Sequence, residues 1–172
     1  YFDELDRIVA DADRSGVKLL LSIVAAPSWA TDNGRNGLPN RANIPNFKYF
    51  MNEMAKRYKG KVAAYQIWNE ANLTTFWQGT PRQLARLTVE AQRIIRRLDP
   101  TALVVAASST VRLKPAFTRF FPSYLHELRR FGWPVDVFAI HTYGPSTATP
   151  ALRASYVALA RSELRDARAP SR

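Results

Sequence analysis

The chain alternates helical and strand patterns from one end to the other, and this alternation constrains its fold most strongly. Such an alternation predicts right-handed βαβ units and therefore a parallel sheet. The first apolar run, Val17–Val24, is nearly continuous, which is typical of a strand covered on both faces. The predicted strands are Val17–Val24, Val62–Trp68, Leu103–Ala107 and Val135–Ile140.

Five helical patterns flank these strands. The third has the clearest start, because Thr80 can cap it, Pro81 takes the first helical position and Gln83 completes a capping box. A proline at position 122 predicts a bend or a break in the fourth helix. A loop rich in Asn, Gly and Pro is expected from Ala25 to Asn43. The predicted helices are Tyr1–Arg14, Phe47–Tyr58, Pro81 to the stop at Asp99-Pro100, Phe117–Phe131, and one that begins after Thr149-Pro150.

Length and composition favour one compact unit. The 172 residues are 47% hydrophobic, which suits a single domain spanning residues 1–172. The longest apolar run is too short to span a membrane. There are no cysteines, which removes thiolate chemistry but fixes no compartment, and secretion of the intact protein is plausible.

The net charge of +11 raises the question of nucleic-acid binding. The basic residues are scattered along helical faces, as at Arg82, Arg86 and Arg93, and form no contiguous tract interleaved with aromatic residues. We therefore expect no specific nucleic-acid partner.

Two closures of the parallel sheet are possible, an open doubly wound sheet and a (β/α) barrel. No Gly-rich turn follows the first strand, so a dinucleotide cofactor has no support. The two histidines, His126 and His141, have no carboxylate at ligand spacing, and we predict neither a metal nor a cofactor. Polar and aromatic residues instead collect at the carboxyl ends of the strands, which favours the barrel.

Glu70 is the one glutamate at a strand exit. Four others, Glu53, Glu90, Glu127 and Glu163, fall within helical patterns. An aromatic surround disfavours the ionised carboxylate, and a carboxylic acid that keeps its proton can act as a general acid. The alternative is a helix-start carboxylate or a loop ion pair.

Asn69 precedes Glu70 and is either a turn residue or a hydrogen-bond donor to a substrate hydroxyl. Strict strand alternation would direct these two side chains to opposite faces. Both can serve one site only if the strand bulges or turns there.

Four more residues are candidates for substrate contact. His141 lies at a strand exit beside Tyr143, which favours a site residue over a core histidine. Trp29 and Trp77 follow strands at the same end of the sheet. Their rings either stack on sugar rings or cover the core.

Three segments resemble one family. "YQIWNEANL" resembles the acid/base strand of the retaining glycoside hydrolases of the clan A barrel group, which includes β-xylosidase-like and cellulase-like families. Their fourth strand ends in Asn-Glu. "VDVFAIHTYGP" is similar to their sixth strand, and "LLLSIVAAPSWA" resembles their third. Ala71 departs from the proline common at that position.

The resemblance implies a partial (β/α)8 barrel of about four βα units, strands three to six of the eight. A complete barrel needs about 250 residues. It implies hydrolysis of O-glycosidic bonds by double displacement, with Glu70 as general acid/base. Asn69, His141, Tyr143, Trp29 and Trp77 would contact an oligosaccharide, polysaccharide or glycoside. The nucleophile, a second glutamate on strand seven, would lie outside this chain, so we expect these residues alone to be inactive.

Two further expectations remain open. A half-barrel of this shape could instead be a non-catalytic module that binds carbohydrate. A four-stranded parallel sheet has two open edges, which predicts self-association through them.

Overall fold

A computed structural model of the protein describes residues 2–31 and 44–170, and the side chain of Ile44 is not included. Most of the loop predicted to end at Asn43 therefore lies outside the described residues. The helices are α1 (Asp3–Arg14), α2 (Ile44–Arg57), α3 (Pro81–Leu98), α4 (Lys114–Arg130) and α5 (Pro150–Asp166). The strands are β1 (Leu19–Ile23), β2 (Val62–Ile67), β3 (Leu103–Val105), β4 (Ser109–Thr110) and β5 (Ile140–His141).

The strands are parallel, as the alternating pattern predicts. β1, β2 and β3 form a sheet in that order, with β2 in the middle. β4 pairs with β5, also in parallel. The two sheets are continuous, because Val105 forms a bridge with Val137 and the Ala106 N–H donates to the carbonyl of Val137 at 2.8 Å. The chain therefore follows four adjacent parallel paths.

The third and fourth predicted strands are shorter and more broken than expected. β3 ends at Val105, and β4 forms after it at Ser109 and Thr110, which lie beyond the predicted strand. One reason is that the Ala107 N–H donates to the hydroxyl of Tyr124 on α4 at 3.3 Å rather than to a neighbouring strand. Of the predicted strand Val135–Ile140, regular pairing begins only at Ile140.

The helices agree better with their predicted bounds. α3 begins with the predicted capping box, in which Thr80 and Gln83 each bond the other's backbone N–H. α4 runs unbroken through Pro122, so the predicted break is absent. Packing explains its persistence, because the helix buries one continuous apolar face, made of Phe117, Phe121, Tyr124, Leu125 and Leu128.

The main core lies between the sheet and the helices, and a smaller cluster joins α4 to α5. β1 is covered on one face only, since Leu21 and Ile23 pack against the core while Leu20 is 49% exposed and Val24, just after the strand, is 43% exposed. The expectation that this strand is covered on both faces is therefore wrong. Within residues 2–31 and 44–170, the helices cover one side of it and no layer covers the other.

Candidate active site

The backbone turns sharply where β2 ends. Trp68 and Glu70 have φ angles of 81° and 42°, in the left-handed region that residues other than glycine rarely adopt. The side-chain amide of Gln66 donates to the carbonyl of Trp68 at 2.9 Å, which fixes the first of these two conformations. The strand therefore turns at Asn69 and Glu70, as is required if both side chains are to face one site. The alternation of side chains along β2 does not continue through these two residues.

The carboxyl group of Glu70 is held by two residues from the fourth strand path. Glu70 is 6% exposed. Its Oε1 lies 2.8 Å from Nδ1 of His141 and accepts a hydrogen bond from the hydroxyl of Tyr143. The parallel pairing of β4 with β5 places His141 beside this site. The structure thus brings together three of the residues predicted from strand exits.

The contact with Glu70 changes the pKa of Tyr143. Its hydrogen bond to Glu70 raises its pKa above the usual value, and burial and the negative charge of Glu70 add to the effect. A phenol with a raised pKa stays protonated at neutral pH. Tyr143 therefore keeps its proton at neutral pH and can donate it in the hydrogen bond to the carboxyl group of Glu70.

Asn69 is half-buried and contacts a residue that sequence reasoning did not select. Its Oδ1 accepts a hydrogen bond from Oγ of Ser108 at 3.0 Å. Ser108 is fully buried, and its Oγ also accepts from the backbone N–H of Glu70 at 2.9 Å. The available signal was the polar triplet that follows a buried strand, although it did not show which serine faces the site.

A pair of hydrogen bonds from Asn72 holds the segment just after Glu70. Asn72 is buried; its Nδ2 donates to the carbonyl of Thr110 and its Oδ1 accepts from the Thr110 N–H, both at 2.9 Å. A side-chain amide that bonds both backbone groups of one residue imitates strand pairing. The segment carrying Glu70 is thereby bound to Ser108 through Asn69 and the Glu70 N–H, and to Thr110 of β4 through Asn72.

The two candidate tryptophans are in different environments. Trp29 lies in a short 3₁₀ turn, Ser28–Ala30, and is 63% exposed. It lines a cavity of about 520 Å³ together with Trp68. Trp77 is 2% exposed and packs edge-on against Trp68, with ring centroids 5.1 Å apart. The structure thus places Trp77 in the core, and its ring is not presented at the surface of the site.

The described part of the chain contains no group of three or more His, Cys, Asp or Glu side chains arranged to hold a metal ion. Within the same residues, no helix has the length and apolar character needed to cross a membrane.

The sequence matches one protein family over almost its full length. The model of the cellulase family, glycosyl hydrolase family 5, matches residues 1–167. Among curated proteins, none matches the sequence.

Solved structures with similar folds include a glucosidase, a xylanase and a β-xylosidase. A glucosidase from Croceicoccus marinus has a TM-score of 0.77 at 15% identity, covering 97% of this chain and 35% of its own. A thermostable mutant of a xylanase from Cellvibrio japonicus has a TM-score of 0.70 at 20% identity, covering 95% and 52%. A monomeric β-xylosidase from Caulobacter crescentus has a TM-score of 0.69 at 17% identity, covering 96% and 38%.

The chain therefore spans about half or less of the length of these structures. At such low identity the likeness concerns the fold alone. That fold is part of a (β/α)8 barrel, as the sequence predicts.

Proposed function

Since this chain belongs to the cellulase family, glycosyl hydrolase family 5, we propose that it supplies the acid/base side of an enzyme that hydrolyses O-glycosidic bonds in carbohydrates. The observation that carries the proposal is the buried carboxyl group of Glu70, which is held through one oxygen by His141 and Tyr143. It lies at the carboxyl end of a parallel strand, where barrel enzymes have their active sites.

The hydrogen bonds suggest how the carboxyl group works. Both described bonds from neighbouring side chains end on Oε1 of Glu70. We assign proton transfer to Oε2. In the first step this oxygen protonates the glycosidic oxygen as the bond to the sugar breaks. In the second step it takes a proton from the water that attacks the sugar.

The retaining form of this reaction needs a second carboxylate, about 5–5.5 Å from the first, which forms a covalent bond to the sugar. Every other glutamate of the chain, namely Glu4, Glu53, Glu90, Glu127 and Glu163, lies in a helix. We assign the nucleophile to a glutamate outside residues 1–172. These residues alone are then expected to show no turnover.

The neighbouring residues have supporting roles in this proposal. His141 and Tyr143 orient the carboxyl group and the sugar beside it. Asn69 donates a hydrogen bond from Nδ2 to a sugar hydroxyl, and Trp29 offers an exposed ring for stacking on a sugar face. Trp77, being in the core, supports Trp68 from behind rather than contacting substrate.

The substitution Glu70→Gln in the full-length protein tests the acid role. Hydrolysis of alkyl glycosides, whose leaving oxygen needs a proton, should fall by about 10²–10⁴-fold. The first step with a dinitrophenyl glycoside should be far less affected, since that leaving group departs without a proton. The measurement is kcat/KM for both substrates, because it reports the steps up to the first bond cleavage.

The matched control is Glu90→Gln. Glu90 lies on α3, where it pairs with Lys48 and Arg93 at the surface, and its loss should change neither rate by more than about twofold. Equal losses on alkyl and dinitrophenyl glycosides in Glu70→Gln would contradict general acid catalysis by this residue.

A further inference from the structure

We propose that Ser108 is a positioning residue that sets which end of the Asn69 amide faces the substrate. The inference rests on the proposed function, since it assumes that Asn69 contacts a sugar. Ser108 is fully buried on the segment that joins β3 to β4, 39 residues along the chain from Asn69.

The hydroxyl group of Ser108 has a complete set of partners. Its oxygen accepts from the Glu70 N–H at 2.9 Å and lies 3.4 Å from Nε2 of Gln66. Both of these atoms can only donate. The single hydroxyl proton is therefore free for an acceptor, and Oδ1 of Asn69 is 3.0 Å away.

This arrangement fixes the polarity of Asn69. If the amide were turned around, Nδ2 would become a third donor against Ser108, and the hydroxyl proton would have no acceptor. A buried polar group without a hydrogen-bond partner is destabilising, because its lost contact with water is not replaced. Oδ1 is therefore held against Ser108, and Nδ2 faces away from it as a donor to a substrate oxygen.

The same hydroxyl links the orientation of Asn69 to the backbone of the acid. The Glu70 N–H belongs to a residue in the left-handed region, where the backbone is held only by surrounding contacts. One buried serine thus aligns both residues of the Asn-Glu pair. Removing its hydroxyl frees the Asn69 amide to rotate.

The chain offers a close control one residue further on. Ser109 is equally buried, but its Oγ has no hydrogen-bond partner among the described residues. Ser109→Ala therefore deletes the same atoms from the same region without removing a hydrogen bond to the site.

Steady-state kinetics of the full-length protein on an aryl glycoside separates the two serines. Ser108→Ala should lower kcat by about 10–100-fold with a smaller change in KM. The reason is that a misplaced Asn69 amide weakens a hydrogen bond that stabilises the transition state more than the bound substrate. Ser109→Ala should stay within about twofold of the unmodified protein. Similar losses in both variants would overturn the proposal.

A double-mutant cycle tests whether Ser108 acts through Asn69. In an Asn69→Ala background, the loss caused by Ser108→Ala should shrink by about threefold or more, since its target is already absent. A smaller reduction contradicts the proposed action of Ser108 through Asn69, because a defect that does not involve Asn69 would reduce activity equally in both backgrounds.

Amide hydrogen exchange separates failure of this inference from failure of the proposed function. Exchange at the Glu70 N–H should quicken by about tenfold or more in Ser108→Ala and remain unchanged in Ser109→Ala, whatever the protein hydrolyses. Unchanged exchange in Ser108→Ala would overturn the positioning role. If Glu70→Gln leaves hydrolysis intact while the exchange result holds, the proposed function fails and the contact of Ser108 with Glu70 stands.

Discussion

At the scale of single residues, Tyr143 reports on the state of Glu70. Its pKa is raised chiefly by its hydrogen bond to that carboxylate. In Glu70→Gln both the charge and the charged acceptor are lost, so we expect the pKa of Tyr143 to fall toward about 10. An ultraviolet titration of tyrosinate, taken as the difference from a Tyr143→Phe variant, measures this directly.

The matched control for this titration is Tyr124. Burial raises its pKa to about 12, and it bonds Thr88 and the backbone of Ala107 rather than Glu70. Glu70→Gln should leave its titration unchanged. A Tyr143 curve that does not move in Glu70→Gln would show that the carboxylate is not its partner in solution.

The proximity of Glu70, His141 and Tyr143 could be predicted because all three follow strand ends, which a parallel fold brings to one edge. Ser108 could not be selected in the same way, since its role depends on contacts with residues 38 and 39 positions away in the chain. Trp77 was selected from the sequence but lies in the core. A tryptophan in a polar loop region can be either exposed or buried, and the sequence alone does not distinguish the two.

At the scale of elements, α1 and α2 are joined by a charged contact. Asp6 accepts two hydrogen bonds from Arg57 and one from Tyr58. The hydrogen bonds from Arg57 lower the pKa of Asp6 to about 2, although burial opposes this. An unfolded aspartate titrates near 3.9. The folded state therefore gains stability from this group above about pH 4 and loses it as the pH falls toward 2.

We therefore expect Asp6→Asn to be less stable than the unmodified protein at pH 7 and pH 5, and the difference to shrink between about pH 4 and pH 2. Urea unfolding at a series of pH values measures it. In an Arg57→Gln background the pH-dependent difference should be much smaller. A difference that stays constant down to pH 2 would contradict the coupling of Asp6 to Arg57.

Helix bounds could be predicted because their signals are local, as in the capping box of Thr80 and Gln83. The strands were harder. All residues of the run Leu103–Ala107 are apolar, so the sequence does not show where the strand ends. Regular pairing stops at Val105, and the Ala107 N–H bonds the hydroxyl of Tyr124, which is distant in the sequence. α4 continues through Pro122 because its apolar face is packed against the core. The local rule that proline breaks a helix does not take such packing into account.

At the scale of the whole molecule, β1 and the residue that follows it expose apolar side chains, namely Leu20 and Val24. Exposed apolar strands promote association. Purified residues 1–172 should associate with increasing concentration in sedimentation velocity experiments. Leu20→Lys should reduce this association, whereas Leu113→Lys, at a similarly exposed leucine just before α4, should not. A monomer at all concentrations would contradict this prediction.

The most direct test of Glu70 as the acid/base is a nucleophile that needs no base. Full-length Glu70→Gln, acting on a dinitrophenyl glycoside, should form the covalent sugar intermediate and then stall, since water is no longer activated. Added azide, already an anion, should raise turnover by about tenfold or more and give a glycosyl azide with the anomeric configuration of the substrate. No acceleration by azide, or an azide product of inverted configuration, would contradict the account.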